Sequence, residues 1–245
     1  MRRFFPVALF LCLQSIGAAA ERLCTPLSYE DNSYSVCRID LRETRLELFN
    51  LDDRGAPLGS FGALAESLRA EGKELGFAMN AGMFDEALKP IGLYVEDGNE
   101  SKKLNRRDGY GNFHVKPNGV FYIKGDRVGV AATEAYVKLN EKPDFATQSG
   151  PMLVIDGKIH PKFSETGMSY KIRNGVGMLD AHTAIFVISE NAVNFYDFAK
   201  LFRDRLKCAN ALFFDGTVSS LYSPELGRND GFAALGPMVG AVKVR

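Results

Sequence analysis

The chain has no tryptophan, only three histidines and four cysteines, and no net charge, since 30 basic residues balance 30 acidic ones. Each shortage excludes something. His114, His160 and His182 are not paired at metal-ligand spacing, and no His-Glu-x-x-His run exists. These histidines read as surface or hydrogen-bonded residues. The chain also lacks a Gly-x-Ser-x-Gly elbow, a Walker-type phosphate loop and a dinucleotide fingerprint. A neutral balance gives no general attraction to polyanions, which sets nucleic acid aside as a partner. No repeat or low-complexity tract interrupts the chain.

Long apolar runs are missing too, apart from the first twenty residues. There Arg2 and Arg3 precede an apolar run from Phe4 to Ile16, and Ala18-Ala19-Ala20 supplies small residues where a signal peptidase reads. The run is short for a membrane span. We expect residues 1–20 to be a cleaved signal peptide and residues 21–245 to form one domain, exported to the periplasm or secreted. No stable membrane span is expected.

Cleavage after Ala20 leaves Cys24, Cys37 and Cys208, an odd count. Cys24 and Cys37 flank a turn-like stretch around Asp31-Asn32-Ser33, so they sit at the two ends of a hairpin, and a Cys24–Cys37 disulfide is expected. Cys208 precedes an apolar strand and reads as a buried thiol.

What is present is a series of short strands punctuated by turns. Ser35–Asp40 and Leu46–Leu51 alternate with period two, as half-buried strands do. Further strands are expected at Gly76–Met79, Ile91–Val95, Gly119–Ile123, Val128–Ala132, Met152–Ile155, Gly175–Leu179, Ala184–Ile188, Ala209–Phe214 and Pro237–Val242. Ser60 caps an expected helix with Phe61, Leu64, Ala65 and Leu68 on one face, ended by Gly72. Asn194 caps a second, with Phe195, Phe198, Phe202 and Leu206 on one stripe. Two helices among about a dozen strands predict an α+β domain, a β-rich mixed sheet core with a few helices.

Five polar, glycine-flanked clusters fall beside these strands: 79–84, 116–121, 146–151, 173–177 and 213–220. They carry Asn80, Asn118, Gln148, Ser149, Arg173, Asn174, Asp215, Ser219 and Ser220. Taken singly each cluster is an ordinary turn. Together they form a wreath of amides and hydroxyls suited to a sugar, with one guanidinium for an anion and one carboxylate. An Arg173–Asp215 salt bridge holding the fold is the structural alternative.

These clusters resemble the phosphodiester glycosidase family, above all its exported bacterial branch, over residues 34–242. Asn80-Ala81-Gly82-Met83-Phe84 stands where the family has an Asn-Gly-Gly-Phe-Phe-like motif. Gln148 to Gly157 matches its Gln…Ser/Gly-Pro-x-Leu-Val-x-Asp-Gly segment, and Arg173 to Val176 its Arg followed by a Gly-Val strand. Phe213 to Ser220 matches its Asn-Leu-Asp-Gly-Gly-Gly-Ser-Ser motif. Ala81, Thr217 and Val218 replace family glycines, which makes the backbone stiffer and points to a different substrate.

The resemblance implies hydrolysis of a sugar-1-phosphodiester or related cell-envelope glycan at the glycosidic bond. A departing phosphate needs a fixed cation more than a strong acid, which suits Arg173. The oxocarbenium-like centre needs a carboxylate, which suits Asp215. Arg173 and Asp215 are thus the candidate catalytic pair, and Asn80, Asn118, Gln148, Ser149, Asn174, Ser219 and Ser220 the candidate substrate ligands. Asp85, Glu96, Glu165 and Asp180 stay open as the second carboxylate. No cofactor is implied; a divalent cation is left open. The expected partner is a carbohydrate or sugar-phosphate substrate. The alternatives are a non-catalytic envelope protein that binds glycan or a glycosyl-phosphate polymer in the same cleft, and a secreted hydrolase of another bond type.

Overall fold

The computed structural model describes residues 22–244, so the expected leader lies outside the described residues. The chain opens on the hairpin β1 (Cys24–Tyr29) and β2 (Asn32–Asp40), then β3 (Arg45–Phe49), α1 (Phe61–Ala70), β4 (Lys73–Asn80), β5 (Tyr94–Glu96) and β6 (Asn99–Lys102). Next come β7 (Gly119–Lys124), β8 (Arg127–Ala132), α2 (Thr133–Leu139), β9 (Phe145–Ser149), β10 (Met152–Ile155) and β11 (Lys158–Ile159). The last third holds β12 (Asn174–Met178), β13 (Thr183–Ser189), α3 (Phe195–Lys200), β14 (Asn210–Asp215), β15 (Leu221–Ser223), β16 (Arg228–Asn229) and β17 (Met238–Val244).

The β-rich α+β architecture expected from the sequence is present. The strands form three sheets, ordered β1-β2-β13-β12-β14-β10-β11, β16-β15-β4-β17-β3 and β6-β5-β9-β7-β8. Each ladder in them is antiparallel. All three sheets give one face to a shared core. Phe186 and Phe214 come from the first, Phe77 and Met79 from the second, Tyr94 and Phe121 from the third. Phe186 is the hub, 5.0 Å from Phe77 and 5.7 Å from Phe121 between ring centroids. Truncating such a ring to Ala costs about 3–5 kcal/mol.

The helices cover the outer faces. Phe61, Leu64 and Leu68 of α1 are buried against Ala78 and Met238 of the second sheet. Ser60 Oγ accepts the Ala63 amide at 3.2 Å to cap that helix, and Gly72, at φ +73°, ends it. Phe198 of α3 and Phe202 pack on Val36, Val187 and Phe213 of the first sheet. Asn194 Oδ1 accepts the Asp197 amide at 2.8 Å. The single helix expected to reach Leu206 stops at Lys200, where the backbone widens into one π turn, Leu201–Arg205. Leu206 still packs against the same cluster.

The short strands β6, β11, β15 and β16 were not expected from the sequence, and neither were α2 and β9. α2 carries only one buried residue, Thr133, so it shows no apolar stripe to read. β9 is buried at every position, yet two of its five residues are Gln148 and Ser149, which read as a turn. The hairpin is as expected: Cys24 faces Cys37 in the β1–β2 register, and the two form a disulfide. Cys208 is a buried free thiol whose pKa burial pushes up to about 12, which keeps it protonated and unreactive. Among the described residues no helix is long and apolar enough to cross a membrane.

Candidate functional site

Arg173 sits one residue ahead of β12, and β13 holds it there. Its amide donates to Ser189 Oγ at 2.9 Å, and its carbonyl accepts the Ser189 amide at 2.9 Å. The side chain is fully buried. Nε donates to the Val193 carbonyl at 2.9 Å, and Nη2 to the Ser169 carbonyl and hydroxyl at 2.6 and 3.1 Å. The guanidinium carbon lies over the Phe195 ring, 3.6 Å from its centroid, and 5.4 Å from that of Phe213. Phe195 stacks in turn on Phe163, and Phe163 on His160, at 4.9 and 4.7 Å.

Among the described residues no carboxylate pairs with this cation. Burial alone pulls its pKa down to about 10, so it stays charged at neutral pH without a counter-ion. Nη1 is buried and has no hydrogen-bond partner. A buried guanidinium stabilised only by neutral oxygens and rings, with one fork nitrogen unused, is costly for the fold and suited to an incoming anion.

On the neighbouring strand Asp215 ends β14, and its Cα partner in the ladder is Asn174. Asn174 is the centre of a buried amide network. Its Nδ2 donates to Asn80 Oδ1 and Asn80 O at 2.8 and 3.0 Å, while its Oδ1 accepts the Asp215 amide at 3.1 Å. Asn80 Oδ1 also accepts the Ser220 amide at 2.9 Å. Ser219 Oγ lies 2.8 Å from the Asp215 carbonyl, 3.2 Å from that of Ile172 and 3.4 Å from Asn174 Oδ1. Asn80 Nδ2 is buried without a partner. The half-buried Asp215 carboxylate accepts the Thr217 and Val218 amides on Oδ1, at 2.5 and 3.3 Å, and leaves Oδ2 without a hydrogen bond.

Beside this network opens a cleft of about 460 Å3. Its lining includes Lys171, Ile172, Glu190, Gly216, Ser219 and Asp230. Neither Arg173 nor Asp215 is itself part of the wall; both lie next to residues that are. Gly216 is the join: a Cβ there would stand 3.5 Å from Arg173 Nη1. A larger hollow of about 610 Å3, between Arg42 and Asp144, contains none of the residues singled out from the sequence.

A model of the phosphodiester glycosidase family matches residues 73–233. YigE of Escherichia coli K12 is 36% identical over 222 residues, covering 91% of this chain and 85% of that one. The chain belongs to the phosphodiester glycosidase family. Two solved structures share the fold. The catalytic domain of zebrafish N-acetylglucosamine-1-phosphodiester alpha-N-acetylglucosaminidase, auto-inhibited by its pro-peptide, superposes with a TM-score of 0.57 at 16% identity, over 89% of this chain and 81% of that one. A Burkholderia pseudomallei protein described as exported gives 0.51 at 10% identity, over 86% and 74%.

Within this member of the family, the residues singled out from sequence divide into two groups. Arg173, Asn174, Asp215, Asn80, Ser219 and Ser220 converge at the strand ends beside the cleft. Gln148 and Asn118 do not join them. Gln148 uses all its hydrogen-bonding capacity internally, accepting from Leu93 and Asn105 amides and donating to Asn105 O and Thr133 Oγ1. Asn118 is bonded to Phe113 O and Thr133 Oγ1. Ser149 Oγ donates to the Phe214 carbonyl at 2.9 Å and braces the strand that carries Asp215.

The residues between Asp215 and Ser219 also find their place. Thr217 and Val218 are absorbed by the turn that Asp215 Oδ1 closes, with no positive φ at either. Gly82 has φ +99° and no room for a Cβ, which would meet Thr147 Oγ1 at 2.4 Å.

None of Asp85, Glu96, Glu165 and Asp180 lines the cleft. The carboxylates that do, Glu190 and Asp230, were missed by the sequence reading, because nothing in Ser-Glu-Asn or Asn-Asp-Gly separates them from turns. Both are ion-paired with Arg228, at 2.5 and 2.9 Å. Glu190 Oε1 also takes the Ser35 hydroxyl at 2.6 Å, leaving Oε2 without a hydrogen bond.

Proposed function

We propose that this protein hydrolyses a sugar-1-phosphodiester at the C1–O bond, in the cleft between Ile172, Gly216 and Asp230. The observation that carries the reading is the buried Arg173 guanidinium with no counter-ion and an unpartnered Nη1 beside Gly216. In this reading the phosphodiester is the anion that pairs with Arg173. As the C1–O bond breaks, the bridging oxygen leaves with the phosphate, and Arg173, with Lys171 at the wall, stabilises the charge that collects there. Asp215 faces the electron-poor anomeric carbon through Oδ2. Water adds its hydroxyl to C1, and its other proton leaves with the phosphomonoester or to solvent. Asn80, Asn174, Ser219 and Ser220 fix the strand ends that carry both charges.

Incubating the protein with a panel of sugar-1-phosphodiesters in 18O-labelled water tests this. The expected products are free sugar carrying the label and an unlabelled phosphomonoester. Label in the phosphate, or no release of sugar from any member, overturns the proposal. A second reading, a non-catalytic envelope protein that binds glycan in this cleft, is favoured by one feature: Arg228 occupies both wall carboxylates. Tight binding of the intact phosphodiester without turnover would establish it. Export from the cytoplasm belongs to the same proposal and rests on the Cys24–Cys37 disulfide.

A further inference from the structure

Gln148 and Asn118 were singled out as substrate ligands, yet the structure spends them elsewhere, and what they hold is informative. Between β6 and the turn at Asn112–His114 the chain runs without helix or strand over residues 103–109. Such a stretch is usually loose. This one is fixed at several points. Gln148, 1% exposed, grips Asn105 through both its amide and its carbonyl, at 2.8 Å each. Asn105 Nδ2 donates to the Ile91 carbonyl at 2.9 Å, and Asn105 Oδ1 accepts the Arg107 amide at 3.1 Å. The Arg106 carbonyl accepts from Lys116 Nζ at 2.8 Å, and the Arg107 carbonyl meets His114 Nδ1 at 3.1 Å. Gly109 packs so closely on His114 that a Cβ would come within 2.7 Å of its ring.

The segment held this way is strongly basic. Lys102, Lys103, Arg106 and Arg107 are four cations in six residues, in a chain whose overall charge is zero. Arg106 is paired with Glu134. Lys102, Lys103 and Arg107 have no carboxylate partner among the described residues. All four line one open groove of about 440 Å3, together with Ile91, Leu104 and Asn105. Tyr110, fully exposed on the same loop, offers a ring face to a sugar.

We propose that this groove is a second binding site, separate from the cleft, for closely spaced phosphate groups on an anionic, phosphodiester-linked glycan chain. Fixed backbone lets like charges stand side by side without relaxing apart, and a chain of phosphates neutralises them in register. Edge-strand protection by lysine accounts for Lys102 on β6 at the border of its sheet, but not for Arg106 and Arg107 beyond it.

The test is calorimetric titration of the protein with inorganic polyphosphate at low and high salt. Parallel arms use a neutral glucan and phosphatidylglycerol vesicles. Polyphosphate is expected to bind with an affinity that falls steeply with salt, and the neutral glucan not to bind. The double variant K103A/R107A should lose about tenfold or more in affinity, as expected for two charge-assisted contacts. Lys171→Ala in the cleft wall should leave this binding unchanged, which separates the groove from the cleft reading. Gln148→Leu, checked for folding by circular dichroism, should weaken binding by freeing the loop while keeping every charge. No polyphosphate binding, equal binding by K103A/R107A, or binding confined to vesicles overturns the proposal.

Discussion

The Asn174 side chain donates to both the side-chain and backbone oxygens of Asn80, at 2.8 and 3.0 Å, and so ties the first sheet to the second across 94 residues of sequence. The same side chain accepts the Asp215 amide at 3.1 Å. One amide therefore sets the relation between three strand ends. Asn174→Ala leaves the Asn80 and Asp215 groups buried or half-buried without it, and we expect a loss of about 2–3 kcal/mol. That corresponds to a fall in Tm of roughly 5–10 °C for a domain of this size. Thermal denaturation followed by circular dichroism checks this; an unchanged Tm would show that the network is dispensable.

Arg173 and Asp215 separate catalysis from folding in a different way. The salt bridge between them that would make both structural is not formed. Arg173→Lys keeps a charge but loses the planar fork that bonds Val193 and Ser169 and lies on Phe195. It should lower Tm by several degrees and cut turnover about a hundredfold or more. Asp215→Asn keeps an oxygen for the Thr217 amide, so Tm should barely move, while turnover falls by roughly three or more orders of magnitude. Tm and specific activity measured on the same preparations decide it. Two folded variants with wild-type rates would remove both residues from the reaction.

The Cys24–Cys37 bridge closes a loop with a sequence separation of 13. On the chain-entropy estimate a loop of that length contributes about 3 kcal/mol. The C24S/C37S double variant should therefore unfold at lower denaturant, while remaining folded in its absence. Cys208, buried with a raised pKa, should resist alkylation in the native protein and react fully in denaturant. Native labelling of Cys208, or wild-type stability in the double variant, would contradict this account.

Much of this fold was legible because its local signals agree. Ser60 and Asn194 cap helices as their spacing predicts, and alternation in Ser35–Asp40 marks the strand that carries Cys37. The site was legible where polar residues sit at strand ends: Asn80, Asn174 and Asp215 converge because their strands do. Gln148 looked the same in sequence, yet it lies in a strand buried at every position, where its amide must be satisfied by the protein itself. Whether a polar side chain at a strand end faces a cleft or a loop is decided by long-range pairing, here β9 against β5 and β7, which no local pattern records. Glu190 and Asp230 were hidden for the same reason. They become neighbours only when Arg228 brings them together.

His160 links acidity to the layer that supports Arg173. It is 1% exposed, stacks on Phe163, and accepts the Lys162 amide on Nδ1 at 3.2 Å. Burial, with the Lys162 charge, lowers its pKa below the ordinary 6.5, so it folds neutral. A base with a depressed folded pKa is protonated more readily in the unfolded chain, so its contribution is present above about pH 6.5 and is lost as pH falls. Glu47 and Glu96 act in the opposite sense. Burial raises both, so their contribution is present in acid and lost as pH rises above the ordinary 4.5. The wild-type profile thus mixes the two, and a variant is needed to isolate the histidine. We expect His160→Gln to be less stable than wild type at pH 7.5, through the lost stack on Phe163. The gap should narrow steadily between about pH 6.5 and pH 5, because the variant has no imidazole to protonate. Urea denaturation of both proteins across this range gives the difference curve directly. A gap that stays constant from pH 7.5 to pH 5 would mean that His160 does not couple folding to protons, and that the stack beneath Arg173 is indifferent to acid.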